Sequence, residues 1–186
     1  MRRLVLALAL VLAPAFAHAA PAPVWTVDPG SSVGFSSSFS GTAFSGHFNR
    51  WTAAIRFDPK NLAGSSVTAT IDVSSAATGD KDRDSSLPTS DFFNAPKFPN
   101  ATFTATTFKD LGGGHYQAIG TLSLRGVSKP LTLPFTLAIT GAQAKMSAAV
   151  ALNRLAFGVG QGEWSGTDSI PAAVSVTINL AAHRAK

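Results

Sequence analysis

The 186-residue chain contains no cysteine. No disulfide can therefore stabilise the fold, and no metal site can use a thiolate ligand. The stability of the folded chain has to come from apolar packing and from backbone hydrogen bonds.

The chain also lacks a cluster of Lys and Arg residues, although its formal net charge is +5. A nucleic-acid-binding surface needs a basic stripe with interleaved aromatic side chains, so the sequence argues against a nucleic-acid partner. The mild positive charge is compatible with attraction to an anionic membrane surface.

Long hydrophobic runs are absent after the first 20 residues, which read MRRLVLALALVLAPAFAHAA. Arg2 and Arg3 precede an apolar run over residues 4–12, and Ala17 and Ala19 provide the small residues of a cleavage site. This pattern predicts a signal peptide at residues 1–19, removed on export. The mature chain, residues 20–186, has the length of one domain and no linker, and its formal charge would be +3.

Helical periodicity is nearly absent, whereas alternation of apolar and polar residues recurs along the chain. Val67, Ala69, Ile71 and Val73 alternate with polar residues, and three later runs behave likewise. The pattern predicts an antiparallel all-β sandwich or barrel with a short helical turn around residues 82–87. Eight strands are expected, near residues 24–39, 43–58, 66–75, 101–109, 115–124, 130–140, 145–153 and 172–182.

Catalytic motifs are missing as well. His47, His115 and His183 are far apart in the sequence, and no serine lies in a G-x-S-x-G turn that enters a helix. A pair of carboxylates that meet only in the fold stays open as an alternative, since such a pair leaves no local signal.

Two short segments imitate ligand-binding motifs. Alternating carboxylates in DKDRD (residues 80–84) resemble a calcium loop, but the required glycine is Ser85, and we prefer a solvated turn with a local Arg83–Asp84 pair. Glycines at 158, 160 and 162 imitate a phosphate-binding loop but open no helix. They more simply allow the chain to turn so that Trp164 crosses a barrel end.

The chain resembles the YceI-like family of periplasmic polyisoprenoid-binding proteins in five ordered blocks. They are WTVDPGSSVGF (residues 25–35), GHFNRWTAAIRFDP (46–59), RDSSLPTSDFFNAPKFPNATF (83–103), GTLSLRGVSKPLTLPF (120–135) and FGVGQGEW (157–164). Together the blocks cover nearly the whole mature domain.

This resemblance implies an eight-stranded antiparallel barrel, similar to lipocalins, with a short helical or irregular insertion near residues 80–98. It implies a periplasmic, non-enzymatic carrier that holds a polyisoprenoid lipid or an isoprenoid quinone tail in an apolar pore. No cofactor and no metal are expected. Transient contact with inner-membrane proteins or the membrane surface, and a homodimer, stay open.

Phenylalanine suits such a pore, because it offers apolar area without a hydroxyl group that needs a partner, and the chain has 13 Phe and one Tyr. In the irregular loop, Phe92 and Phe93 are expected to cap one barrel end, anchored by Arg83, Asp84 and Asp91. The predicted pore and lid residues are Phe35, Phe48, Phe57, Phe92, Phe93, Phe103, Leu122, Leu124, Phe135, Phe157 and Trp164.

Three other functions compete with the carrier. The same phenylalanines could fill the core of a ligand-free structural or interaction barrel. A secreted hydrolase acting on a lipid or glycan, and a calcium-dependent interaction module, are the further alternatives. The sequence does not specify the headgroup or the chain length of a lipid.

Overall fold

The computed structural model describes residues 22–185. The predicted signal peptide lies outside the described residues. The strands are β1 (Val24–Val27), β2 (Ser32–Phe39), β3 (Thr42–Phe48), β4 (Trp51–Arg56), β5 (Ser66–Asp72), β6 (Ala76–Ala77), β7 (Asn100–Gly112), β8 (His115–Leu124), β9 (Val127–Thr140), β10 (Gln143–Asn153) and β11 (Ala173–Arg184).

Three pairs of consecutive segments act as single bent strands. β1 and β2 both pair with β11, and β3 and β4 are separated only by the turn at Asn49 and Arg50. β5 continues into β6 through a 3₁₀ turn at Val73–Ser75. The eight strands predicted from the alternation are therefore all present.

The strands close into a barrel because the first strand pairs on both sides. β1 is hydrogen-bonded to β4 on one side and to β11 on the other, and every intervening pair is antiparallel. Closure removes the exposed sheet edges that a sandwich would leave. The predicted eight-stranded antiparallel barrel is confirmed, and the sandwich is excluded.

A tight hairpin explains why β9 begins three residues before the predicted start at 130. Arg125 and Gly126 have φ of +50° and +76°, as both central residues of a type I′ turn require. The loop therefore needs only two residues, and β8 and β9 pair up to Leu124 and Val127.

The core occupies the barrel interior, as the alternation along β11 shows. Val174, Val176 and Ile178 are partly buried, whereas the intervening Ser175 and Thr177 are exposed. Each strand thus contributes one apolar face to the interior and one polar face to the surface.

The predicted insertion is a short helix followed by turns. α1 (Lys81–Ser86) begins after Asp80, whose side chain accepts a hydrogen bond from the Arg83 N–H. We call residues 87–99, which follow α1 and lead into β7, the lid loop. Within residues 22–185, no helix is long and apolar enough to cross a membrane.

Candidate functional site: an apolar cavity inside the barrel

The barrel encloses a cavity of about 190 Å³ lined by the inward faces of its strands. Among residues 22–185, Arg56 and Ser66 are the lining residues with charged or hydroxyl side chains. The indole N–H of Trp25, which also lines the cavity, donates to the carbonyl oxygen of Phe57 at 2.9 Å. The cavity therefore offers a ligand apolar contact and few hydrogen-bonding groups.

The cavity exists because several inward positions carry small side chains. Ala53 on β4 lies directly opposite Ala69 on β5, and both line the cavity together with Ala118 on β8. Larger residues at these positions would fill the interior, as they do in small barrels without a ligand site.

Towards one end of the barrel, here the lower end, aromatic rings pack against one another. The Phe57 ring lies 5.5 Å from Tyr116 and 6.0 Å from Phe135, and Tyr116 stacks on Phe135 at 5.5 Å. Burial, with a smaller contribution from the charge of Asp110, raises the pKa of the Tyr116 phenol. The phenol is therefore neutral at ordinary pH.

A second aromatic group closes the opposite, upper end. The Phe48 ring contacts Phe35 at 5.2 Å and Phe93 at 6.1 Å, and Phe92 lies 5.9 Å from Trp164. Phe92 and Phe93 both pack against the core cluster that includes Phe103 and Leu122. The adjacent phenylalanines of the lid loop therefore both pack towards the barrel, as a loop allows and a strand does not.

The predicted site residues divide into two groups. The cavity is lined by Phe57, Phe103, Leu122 and Phe135. The other predicted pore and lid residues pack outside the lining, around the upper end: Phe35, Phe48, Phe92, Phe93, Leu124, Phe157 and Trp164. Whether any of them contacts a ligand stays a prediction.

Sequence reasoning missed most of the lining. Trp25 and Trp51 face the cavity, as do the aliphatic residues of β9, β10 and β11, such as Leu133, Val150 and Ile178. The alternation already marked the aliphatic residues as inward. These aliphatic residues were nevertheless not predicted as site residues, because phenylalanine was expected to supply most of the binding surface.

The predicted direct pair between Arg83 and Asp84 is wrong. Within the described chain, the Arg83 guanidinium lies 4.0 Å from Asp80 and packs over the Phe44 ring at 4.2 Å. Consecutive residues of a helix point in different directions, which separates the two side chains. They meet indirectly, because both bond to Thr78.

Asp84 anchors the segment before α1. Its carboxylate accepts the hydroxyl of Thr78 at 2.6 Å and the backbone N–H of Thr78 at 2.7 Å. The Thr78 hydroxyl is the largest cause of a lowered Asp84 pKa, with backbone N–H groups and the Arg83 charge adding to it against partial burial. The carboxylates of DKDRD thus serve local structure: Asp80 caps α1 and Asp84 binds Thr78.

The lid loop is held by backbone contacts on both sides. The carbonyl oxygen of Asp91 accepts hydrogen bonds from the N–H groups of Gly160 and Gln161, both at 2.8 Å. The neighbouring Ser90 carbonyl accepts one from the Arg125 guanidinium in the β8–β9 turn. Asp91 thus holds the lid loop through its backbone carbonyl, and an anchoring role for its carboxylate stays a prediction.

Arg154, which sequence reasoning did not select, organises the connection between β10 and β11. It is 5% exposed, and its five N–H groups donate to carbonyl oxygens at 2.6–3.0 Å. The acceptors are the backbone carbonyls of Val159, Trp164, Gly166, Ile170 and Pro171. Burial lowers the Arg154 pKa. Its only sequence signal is a basic residue between an apolar strand and the glycine-rich segment.

The glycines of that segment turn the chain around Arg154. Gly158, Gly160 and Gly162 have φ of +69°, +91° and +57°. A Cβ on Gly160 would lie 2.0 Å from Nη1 of Arg154. These glycines let the chain bring Trp164 across the upper barrel end. This agrees with their interpretation as turn residues and not as a phosphate-binding loop.

Comparisons with known proteins agree with this architecture. The YceI-like domain matches residues 25–182. A UPF0312 protein of Vibrio vulnificus is 36% identical over 137 residues, which cover 72% of each chain.

Two solved structures share the fold. The structure of BcnA from Burkholderia cenocepacia superposes with a TM-score of 0.81 at 32% identity, over 84% of this chain and 99% of that one. A polyisoprenoid-binding domain from Saccharophagus degradans, implicated in plant cell wall breakdown, has a TM-score of 0.70 at 17% identity, over 88% and 99%. The closed barrel, its apolar interior and the match over residues 25–182 together establish that the chain belongs to the YceI-like family.

Proposed function

We propose that this protein is a periplasmic, non-catalytic binding protein that holds the prenyl tail of a polyisoprenoid lipid or isoprenoid quinone inside its barrel. The observation that carries the proposal is the apolar cavity lined by the inward faces of the strands. Family membership supports a binding role, and a neighbour of the same fold is a polyisoprenoid-binding domain. The N-terminal signal pattern supports export.

A prenyl tail suits this cavity because the tail offers no hydrogen bonds. Each 100 Å² of its surface that leaves water contributes about 2.5 kcal/mol before the cost of ordering the chain. On β10 the cavity is lined by Ala144, Met146, Val150 and Leu152, and the span from Ala144 to Leu152 gives a length of roughly 20 Å along a tilted barrel axis.

The cavity volume sets a requirement on this function. Its 190 Å³ exceed the roughly 150 Å³ of a cavity that takes up benzene, but lie below the roughly 300–1,000 Å³ of sites for larger ligands. A long tail therefore has to displace flexible lining side chains, of which Met146 and Leu131 are examples.

The first test is direct recovery of the ligand. Protein isolated under native conditions from an isoprenoid-producing bacterium should release a prenyl lipid into organic solvent, detected by mass spectrometry. Recovery of no prenyl compound would count against the proposal. Release of a cleaved lipid or glycan product on incubation would favour the hydrolase.

A matched pair of variants tests where the lipid lies. Ala69→Phe places a ring in the cavity and should abolish lipid recovery while leaving the barrel folded by circular dichroism. Ala54→Phe on the neighbouring strand β4 faces outward and is the control. Equal lipid recovery from both variants would exclude the cavity as the site.

A further inference from the structure

The barrel wall is incomplete between β9 and β10. In the described chain, the two strands pair from Thr140 with Gln143 only as far as Phe135 with Ala148. Beyond that point, residues 127–134 of β9 pair with β8 alone, and residues 149–153 of β10 pair with β11 alone. We call this unpaired stretch the β9–β10 gap.

Two prolines account for the gap. The N–H of Leu137 donates to Gly114 on the β8 side at 2.8 Å, and donors alternate in direction along a strand. Positions 130 and 134 therefore face β10, and both are proline, which has no N–H to donate. Pro134 lies where the next hydrogen bond to β10 would form, so the ladder ends there.

The gap lies between the cavity and the outer surface. Leu131 and Leu133 on one side, and Val150 and Leu152 on the other, line the cavity. Outside, Pro134 and Ala149 border a groove of about 390 Å³ that extends to Leu111. Phe135 borders both the groove and the cavity, so one residue separates them.

The groove carries one prominent apolar side chain on its rim, beside the polar residues His115, Thr136 and Ser147. Leu111 at the end of β7 is 57% exposed, the highest value among the exposed large apolar residues of the described chain. An exposed apolar side chain on this groove favours the approach of a prenyl chain over that of a polar solute.

The lid loop spans the upper end of the gap. Ser90 accepts its hydrogen bond from Arg125, just before β9, and Asp91 accepts its bonds from Gly160 and Gln161, shortly after β10. Two adjacent lid residues thus hold the two sides of the gap together. Movement of the lid loop would widen the gap.

From these contacts we infer that the prenyl tail enters and leaves the cavity sideways through the β9–β10 gap. This inference rests on the proposed function. The gap is a route, so changing it alters the rates of uptake and release by the same factor and leaves the equilibrium Kd unchanged.

The test is stopped-flow measurement of farnesol uptake and release. Trp25 and Trp51 line the cavity and report occupancy by their fluorescence. The variant Pro130→Thr with Pro134→Thr introduces two N–H donors towards β10 and should slow both rates about tenfold or more, since one added hydrogen bond to be broken accounts for a factor of about ten. Circular dichroism checks the fold.

A chemical block provides a second measurement that does not depend on the proline variant folding. Because the chain has no cysteine, Thr132→Cys in the gap and Ala138→Cys in the paired part of β9 can each be labelled at one site with a polymer-linked maleimide. Both positions are exposed. The label at 132 should slow both rates, and the label at 138 should not.

Each outcome decides the inference. Slower uptake and release at unchanged Kd, confined to the gap, supports it. Wild-type rates in the folded proline variant and in the protein labelled at 132 would overturn it, while the proposed function stands. A wild-type protein that takes up no farnesol would overturn the proposed function and this inference together.

Discussion

Arg154 illustrates how single residues set the upper end of the barrel. Its buried guanidinium has no carboxylate partner among residues 22–185, and this is tolerated because each of its N–H groups has a carbonyl acceptor. These acceptors come from residues 159–171, so one side chain fixes the course of a segment with little regular structure. That segment carries Trp164 and the donors that bind the lid loop.

Gly160→Ala should disrupt this arrangement. Its Cβ would lie 2.0 Å from Nη1 of Arg154 and 2.8 Å from the Trp164 carbonyl, so Arg154 would lose acceptors. We expect the free energy of unfolding in urea to fall by about 3 kcal/mol or more, since each buried carbonyl left unpaired costs about 1–3 kcal/mol.

Gly162→Ala is the matched control. Gly162 also has a positive φ, but a Cβ there meets no atom within 4 Å. Only backbone strain of about 1 kcal/mol is expected. Equal losses of stability in the two variants would show that backbone strain, and not Arg154, is responsible.

Asp84 couples the stability of the insertion to pH. Its folded-state pKa is lowered chiefly by the Thr78 hydroxyl, so its carboxylate stabilises the fold above the unfolded-state pKa. This contribution is lost as the pH falls through the lowered folded-state pKa. Asp84→Asn should therefore reduce the free energy of unfolding at pH 7 by about 1 kcal/mol, and the difference from wild type should vanish once the pH lies below the lowered folded-state pKa.

Urea denaturation at several pH values measures this dependence. Asp82→Asn, on an exposed position of the same helix, is the control and should change stability little. A difference between wild type and Asp84→Asn that is constant with pH would contradict the assigned role of the carboxylate.

At the scale of elements, the lid loop joins the barrel to two separate segments. Phe93 packs against two core clusters, one that includes Phe103 and one that includes Val73. The same loop is bonded to the β8–β9 turn through Ser90 and to the β10–β11 connection through Asp91. The lid loop therefore contributes both to core packing and to closure of the upper end.

The double variant Phe92→Ala with Phe93→Ala should speed the release of farnesol. Both rings pack against residues that line the cavity, so removal of the rings loosens the upper end. Because the rings are only partly buried, we expect the two truncations together to lower the unfolding free energy by about 2–4 kcal/mol, less than the roughly 3–5 kcal/mol that each fully buried ring would cost.

Phe98→Ala, in the same loop, provides the comparison. Phe98 packs near Gly126 in the β8–β9 turn, away from the lining. Release rates are compared in stopped-flow displacement on protein shown to be folded. If the double variant releases farnesol at the wild-type rate, the lid loop fills the barrel end and does not retain a ligand.

For the whole molecule, the ligand and the core compete for the same space. A barrel without disulfides derives its stability from the interior that the proposed function keeps partly open. A tail that fills this interior adds the missing contacts. Binding and folding are therefore linked, because a ligand that binds only the folded state stabilises it.

Thermal unfolding with prenyl alcohols of increasing length should reveal this linkage. Each added isoprene unit buries on the order of 100 Å² more, so the rise in Tm at equal ligand concentration should grow with chain length. The rise should level off once the chain exceeds the cavity. Ala69→Phe should show no length dependence, and a length-dependent rise in that variant would indicate binding on the surface.

The residues that sequence analysis placed correctly share a local signal. Alternation identified the strands, and the composition of residues 80–98 identified a helical turn and an irregular loop. The direct Arg83–Asp84 pair was wrong because partner choice depends on Thr78 and Phe44, which precede the helix. Arg154 was missed because its five acceptors are carbonyls, which every residue carries and no motif marks.

The sequence by itself determined the eight strands, their inward faces and the family, because periodicity and turn residues act over a few neighbouring positions. The alternation left barrel and sandwich open, and the family resemblance implied a barrel. Only the tertiary structure decided which strands meet to close the sheet, that facing alanines leave a cavity, and that β9 and β10 separate at Pro134. Each of these depends on which residues of distant strands lie opposite one another. That register is set by the packing of the whole barrel and is not encoded in any single segment.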